Sequence, residues 1–139
     1  MNREEIMKIL PHRDNMLLLD EAELVDGTAI GRYTVRGDEF FLQGHFPGNP
    51  VVPGVILCEI LAQSACMLMQ DVETEGGLPV YTGMNHVKFR SPVKPGDQVT
   101  AECRMKRARH PFYFAEGTVS VGDRLCVSAE FSFAIAKME

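Results

Sequence analysis

Residues 54–71 read Gly-Val-Ile-Leu-Cys-Glu-Ile-Leu-Ala-Gln-Ser-Ala-Cys-Met-Leu-Met-Gln-Asp. This is the one long stretch of helical character, and it is apolar nearly all round. Before Asp71, only Glu59, Gln63, Ser64 and Gln70 interrupt the apolar run. A helix without a broad polar face is enclosed by other elements rather than laid on a surface. Glu75-Gly76-Gly77 reads as its end.

What encloses it can be read on either side. Residues 16–25 read as a strand, Asp26-Gly27 as a hairpin turn, and residues 28–36 as the returning strand. After the helix the chain turns β-rich, with strands expected at about 79–90, 97–109, 112–121 and 124–136. Turn residues join them: Ser91-Pro92 through Pro95-Gly96-Asp97, then His110-Pro111, then Gly122-Asp123. Phe131, Phe133 and Ile135 alternate with Glu130, Ser132 and Ala134, the pattern of a half-buried strand. A short helix is expected over residues 3–9, with Asn2 and Glu5 as a capping box and Pro11 ending it. Strands joined by short hairpins imply an antiparallel sheet. The economical architecture is α+β, a curved antiparallel β-sheet wrapped around one long central helix, in a single domain over residues 1–139. One helix cannot cover so long a sheet, so a dimer that extends the sheet is expected.

Composition excludes several classes. Apolar residues make up 45% and charged residues 24%, a balance that can build a core and is not that of a disordered chain. No apolar run reaches the roughly 18 residues a membrane span requires. The start, Met-Asn-Arg-Glu-Glu-Ile, reads as no signal peptide, so a cytoplasmic location is expected. Cys58, Cys66, Cys103 and Cys126 form no Cys-x-x-Cys pair and read as buried free thiols. The net charge of −5 argues against a nucleic-acid partner. Residues 88–109 nevertheless carry seven bases and two acids, which reads either as a solvated strand face or as a landing site for an acidic partner.

The loop before the helix carries the chemistry. Residues 44–53, Gly-His-Phe-Pro-Gly-Asn-Pro-Val-Val-Pro, hold one histidine between two glycines and among three prolines. Prolines fix φ and glycines permit unusual backbone shapes, so this loop is built to present His45. Imidazole is the side chain that changes charge near neutral pH, and it suits a general base. Gly54 starts the helix, where free backbone N–H groups can stabilise a developing oxyanion and a missing side chain lets substrate approach. Glu59 sits on the apolar helix with Gln63 one turn on, able to hydrogen-bond it. A buried carboxyl favours its protonated form and can then donate. His12 could line a site or cap a turn. His86 reads as a structural residue of a strand, and His110 lies in a turn. No His, Asp and Glu spacing suits a metal, and neither a phosphate-cradling loop, a dinucleotide fingerprint nor a nucleophile elbow is present.

The motif Gly44-His45-Phe46-Pro47-Gly48-x-Pro50-x-x-Pro53-Gly54-Val55, with Glu59 and Leu61-Ala62-Gln63 after it, resembles the signature of (3R)-hydroxyacyl-[acyl-carrier-protein] dehydratases of type II fatty acid synthesis, the FabZ type. Leu10-Pro11-His12-Arg13 with Met16 to Asp20, and Val87-Lys88-Phe89-Arg90-x-Pro92-Val93-x-Pro95-Gly96-Asp97, are similar to two further stretches of that family. The resemblance implies a hot-dog fold and a homodimer, often assembled into trimers of dimers. It implies that His45 of one subunit meets Glu59 of the other. His45 would be the base that removes the proton α to the thioester carbonyl, and Glu59 the acid that protonates the departing hydroxyl. Gly54 would hold the carbonyl oxygen, Gln63 would orient Glu59, and the Val51 carbonyl would accept from the second His45 nitrogen. Phe46 would belong to the substrate-binding residues. The acyl chain would arrive on an acidic acyl carrier protein through a phosphopantetheine arm, and no cofactor is implied.

Two departures stand out. Asn49 replaces a histidine usual in the loop, and Cys58 precedes Glu59 where the family varies. Glu59 rather than Asp favours the simple dehydratase over the dehydratase–isomerase. The alternatives are a dehydratase of a polyketide or specialised lipid pathway, a hot-dog thioesterase, and a silent acyl or carrier-protein binding module. A typical thioesterase lacks the histidine loop, and a silent module should have lost His45 or Glu59.

Overall fold

The computed structural model describes residues 1–70 and 76–137. A short helix α1 (Arg3–Met7) is followed by the hairpin β1 (Glu21–Val25) and β2 (Thr28–Thr34). The long helix α2 (Gly54–Ala65) comes next, then four strands: β3 (Leu78–Phe89), β4 (Gln98–Arg109), β5 (Phe112–Val121) and β6 (Arg124–Ala136). All neighbours pair antiparallel in one six-stranded sheet of order β1-β2-β4-β5-β6-β3. This is the hot-dog arrangement, α+β, with α2 held by the sheet.

The apolar character of α2 is used as expected. Leu57, Cys58, Ile60, Leu61, Gln63, Ser64 and Ala65 are all buried. Each fully buried Leu or Ile contributes about 1.5–3 kcal/mol relative to exposure. The helix sits close on β2 because Gly31 has no side chain there. A Cβ at Gly31 would collide with the Ser64 hydroxyl and come within 2.8 Å of Leu19. The stripe Val55, Glu59, Ala62 and Cys66 is left at best half-buried, spaced so that all four lie on one side of the helix. Among the described residues, the chain's own sheet covers that side only in part, through β3 and β6.

Three expectations are corrected. The α-helical part ends at Ala65, and Cys66–Met69 is a 3-10 turn, because the Cys66 N–H is shared among the carbonyls of Ala62, Gln63 and Ser64 and the turn tightens. The proposed end at Glu75 falls among residues 71–75, outside those described. The first strand begins at Glu21, not residue 16. The backbone of the preceding stretch spends its hydrogen bonds elsewhere: Leu18 N–H and the Met16 carbonyl bond the Gln63 side chain, and Arg3 reaches the Leu17 and Leu19 carbonyls. Short hairpins do not connect every strand either. The chain leaves β2, runs through α2, and lays β3 beyond β6 at the far edge of the sheet. The Asn2 and Glu5 capping box is present in both directions, and the four later strands fall within a residue or so of their expected ranges.

β3 is therefore an edge strand. Among the described residues it pairs only with β6, and Leu78, Tyr81, Met84 and Phe89 along it are substantially exposed. Among the described residues, no helix is long and apolar enough to cross a membrane.

Candidate active site

Two cavities flank α2. The first, about 580 Å³, lies at the helix N-terminus and is lined by His45, Gly54, Val55, Phe89 and Arg90 among others. The loop that carries His45 is shaped by left-handed residues at Gly44, Phe46 and Gly48, and it is tied down by Asn49 N–H to the Phe46 carbonyl at 2.9 Å and Val52 N–H to the Val93 carbonyl at 2.8 Å. The His45 ring stacks on Phe46 at 4.3 Å between centroids. Its Nδ1 lies 2.9 Å from the Val51 carbonyl oxygen. A carbonyl only accepts, so Nδ1 carries the proton and Nε2 keeps a free lone pair. Phe46 itself is 60% exposed in the isolated chain, on the open side of the loop.

Gly54 opens α2 with Pro53 as N-cap, and no side chain caps this end. The first intrahelical bonds are made by Ile56 and Leu57 to the Pro53 carbonyl. The N–H groups of Gly54 and Val55 before them have no partner among the described residues, and both residues line the cavity that holds His45. A Cβ at position 54 would meet the Phe89 ring at 2.6 Å. Only glycine fits beneath that ring.

The second cavity, about 220 Å³, lies on the half-covered side of α2. Glu59, Gln63, His12, Cys66 and Tyr81 line it. Glu59 keeps 26% of its side chain exposed, so the single chain does not bury the carboxylate as the helix pattern suggested. Gln63 is buried and fully bonded. Its Nε2 donates to Glu59 Oε2 at 3.1 Å and to the Met16 carbonyl at 2.8 Å, and its Oε1 accepts from Leu18 N–H at 2.9 Å. The Tyr81 hydroxyl donates to the Cys58 carbonyl at 2.7 Å, locking the cavity wall to the helix.

The thiols are inert by environment. Burial, with the Glu59 charge adding to it, pushes Cys66 up to about 12. Burial likewise pushes Cys103 up to about 12. The thiolate is the nucleophilic form, so neither residue offers one near neutral pH. Among the described residues no three His, Cys, Asp or Glu side chains gather as a metal would require.

Residues 10–130 match the model of a family described as the FabA-like domain. Over 138 residues the chain is 42% identical to the 3-hydroxyacyl-[acyl-carrier-protein] dehydratase FabZ of Alkaliphilus metalliredigens, covering 97% of this chain and 94% of that one. The chain belongs to the FabZ-type dehydratase family. A FabZ of Caulobacter is 40% identical over 138 residues, covering 96% of this chain and 85% of that one. Among solved structures, the dehydratase heterocomplex ApeI:P from Xenorhabdus doucetiae superposes with a TM-score of 0.81 at 20% identity, covering 95% of this chain and 91% of that one. A hypothetical thioesterase with coenzyme A from Streptococcus pneumoniae does so at 0.64 and 15% identity, covering 86% and 87%. At those identities the superpositions speak for the fold alone.

The placement of the expected site residues in this FabZ-type chain divides in two. His45 and Gly54 line the first cavity, with the Val51 carbonyl bonded to His45 and Phe46 stacked on it. Glu59 and Gln63 come together in the second. The two cavities share no lining residue. Tyr81, Phe89 and Arg90 lie outside the expected site residues, and His12, expected to line a site or cap a turn, lines the second cavity. Three of them lie inside the quoted family stretches or beside them, but nothing local to the sequence says that His12 and Tyr81 converge on Glu59. His86, read as a structural residue of a strand, lies in β3 at a β-bulge with positive φ; it is mostly exposed and its Nδ1 lies 2.8 Å from Glu130.

The basic stretch is less basic in space than in sequence. Lys106 pairs with Glu130 at 2.6 Å and Arg104 with Glu116 at 3.9 Å, acids contributed by β6 and β5. Arg107 lies over the Phe114 ring at 4.4 Å. Arg90, by contrast, lines the His45 cavity.

Proposed function

We propose that this chain dehydrates (3R)-hydroxyacyl-[acyl-carrier-protein] to the trans-2-enoyl form in fatty acid biosynthesis, using His45 and Glu59 as base and acid. The observation that carries the reading is the His45–Val51 hydrogen bond beside the open N-terminus of α2. It leaves Nε2 as a base next to free backbone N–H groups that can receive an oxyanion.

The chemistry balances without an oxidant or reductant. His45 Nε2 takes the proton from C2 of the thioester. The electron pair moves toward the carbonyl oxygen, which the Gly54 N–H stabilises, and then forms the C2=C3 bond. The C3–O bond breaks, and the hydroxyl leaves as water with the proton from Glu59. Gln63 holds the Glu59 carboxyl in place. His45 ends protonated and Glu59 ionised, and a return of the proton resets the pair.

His45 and Glu59 lie in separate cavities of one chain, which favours a site completed by a second copy. The free edge of β3 and the half-covered Val55–Glu59–Ala62–Cys66 side of α2 adjoin these cavities. A homodimer that continues the sheet across β3 would cover both, since a long open edge invites pairing, and trimers of dimers are a further level of such assembly. The carrier protein, acidic and bearing the phosphopantetheine-linked substrate, would dock near Arg90 and the unpaired bases around it. The chain is read as one domain acting in the cytoplasm.

The test follows the reverse reaction. Purified protein is mixed with crotonyl-pantetheine thioester, and loss of the enoyl absorbance is recorded together with free thiol. Hydration without thiol release, lost on the order of 10²- to 10⁴-fold in His45→Ala and in Glu59→Gln, is expected. Release of thiol would instead identify a thioesterase, and carrier-protein binding without turnover a silent module.

A further inference from the structure

Two side chains converge on one of the two Glu59 oxygens. Gln63 Nε2 donates to Oε2 at 3.1 Å, and His12 Nε2 lies 3.5 Å from the same oxygen, at ion-pair rather than hydrogen-bond distance. Oε1 has no hydrogen-bond partner among the described residues. An amide nitrogen only donates. The tautomer of His12 follows from its surroundings: among the described residues Nδ1 is buried without a partner, whereas Nε2 has the Glu59 carboxylate at 3.5 Å, so the neutral ring carries its proton on Nε2. The loop that carries His12 is fixed by Arg13, whose guanidinium donates to the Leu10, His12 and Met7 carbonyls at 2.8, 2.7 and 3.0 Å.

We propose that His12 is a positioning residue for Glu59: its Nε2, at ion-pair distance from the Oε2 that Gln63 bonds, holds that oxygen inward so that the acidic proton resides on Oε1 and is delivered from there. This rests on the reading of Glu59 as the acid. With Oε2 accepting from Gln63, a proton there would clash with that N–H, while Oε1 has no hydrogen-bond partner among the described residues. Among the described residues, no other group facing the cavity competes. Cys66 is pushed up to about 12 by burial and by the Glu59 charge. Burial, with the same charge, also raises Tyr81, whose hydroxyl is already engaged with Cys58. Arg13 is occupied by backbone carbonyls.

The variants His12→Ala, His12→Asn, His12→Gln and Glu59→Gln are compared in hydration of crotonyl-pantetheine thioester, with thermal midpoint and assembly size measured for each. In His12→Ala, kcat is expected to fall on the order of 10- to 100-fold while KM changes by less than about twofold. The Gln amide carries its N–H as far from the backbone as the imidazole Nε2, so His12→Gln restores most of the rate. The shorter Asn does not reach and stays slow. If the Ala variant misfolds, the contrast between Gln and Asn decides alone. A His12→Ala enzyme with wild-type kcat, or Gln and Asn variants equally slow, would overturn the proposal. A Glu59→Gln enzyme that keeps its rate would overturn the acid assignment itself, which the other variants cannot mimic.

Discussion

Gln63 holds Glu59 with the same amide that holds the loop before β1. Its Nε2 donates at 3.1 Å to Glu59 Oε2 and at 2.8 Å to the Met16 carbonyl, and its Oε1 receives Leu18 N–H at 2.9 Å. One buried side chain thus joins the candidate acid to the packing of the N-terminal segment.

Gln63→Ala should therefore fail in two ways. Leu18 N–H loses its partner in a buried setting, at about 1–3 kcal/mol, and the Met16 carbonyl in a part-buried one, where water can replace part of the loss. Denaturant titration should show a loss of about 1–4 kcal/mol on that basis. Hydration should slow as well, because Glu59 loses a donor. Gln63→Glu, which keeps the shape but places a second carboxyl against Glu59, should be no better.

Gly54 and Phe89 form a second dependent pair. A methyl at position 54 would lie 2.6 Å from the Phe89 ring, so Gly54→Ala should cost about 1–3 kcal/mol by overpacking even though alanine is the better helix former. Reducing the ring with Phe89→Leu should recover most of that loss in the double variant. The thermal midpoints of the two single variants and the double variant complete the cycle. Additive losses would mean that the ring is not what excludes a side chain there.

A third expectation concerns acid stability, at a point far from the candidate site. Glu39 is buried, and burial alone would raise its carboxyl, yet the Arg36 and Gly37 N–H groups and the Tyr33 hydroxyl, donating at 2.8, 2.8 and 2.7 Å, outweigh this and hold it below its ordinary value. A depressed carboxyl contributes stability above its unfolded value, about 4.3, and that contribution is lost as pH falls through the folded value. Glu39→Gln should be less stable than the parent at pH 7, and the gap should narrow steadily below about pH 4. A gap independent of pH would show that the lost hydrogen bonds alone, not the charge, set the difference.

How far the sequence reading reached depends on the range of the interactions involved. The later strands were legible because turn residues such as Gly122-Asp123 mark their ends and the alternation around Phe131 marks a face. The buried helix was legible because its apolar residues run all round. The position of β3 beyond β6 was not, since no local signal records which distant edge a strand joins after a crossover. The same cause hid the start of β1: residues 16–20 are strand-like in composition, but Gln63, far along the chain, takes their hydrogen bonds. The basic stretch lost part of its charge to Glu116 and Glu130, partners set by strand register. Within the site, Glu59 and Gln63 are one helical turn apart and could be paired by spacing, and His45 was marked by its proline-framed loop. The approach of His12 to Glu59 is a contact across the fold, visible only in three dimensions.

The sharing of a site between two copies is tested most directly by mixing two inactive variants. His45→Ala and Glu59→Gln proteins are purified separately, mixed in equal amounts under conditions that exchange subunits, and assayed for hydration of crotonyl-pantetheine thioester. If His45 of one chain works with Glu59 of the other, each mixed dimer contains one intact site, and random exchange in a twofold-symmetric dimer returns about a quarter of the wild-type rate. If both residues act within one chain, every site in every mixed dimer keeps a defect. A mixture that has verifiably exchanged subunits and stays as inactive as its parents would contradict the shared site.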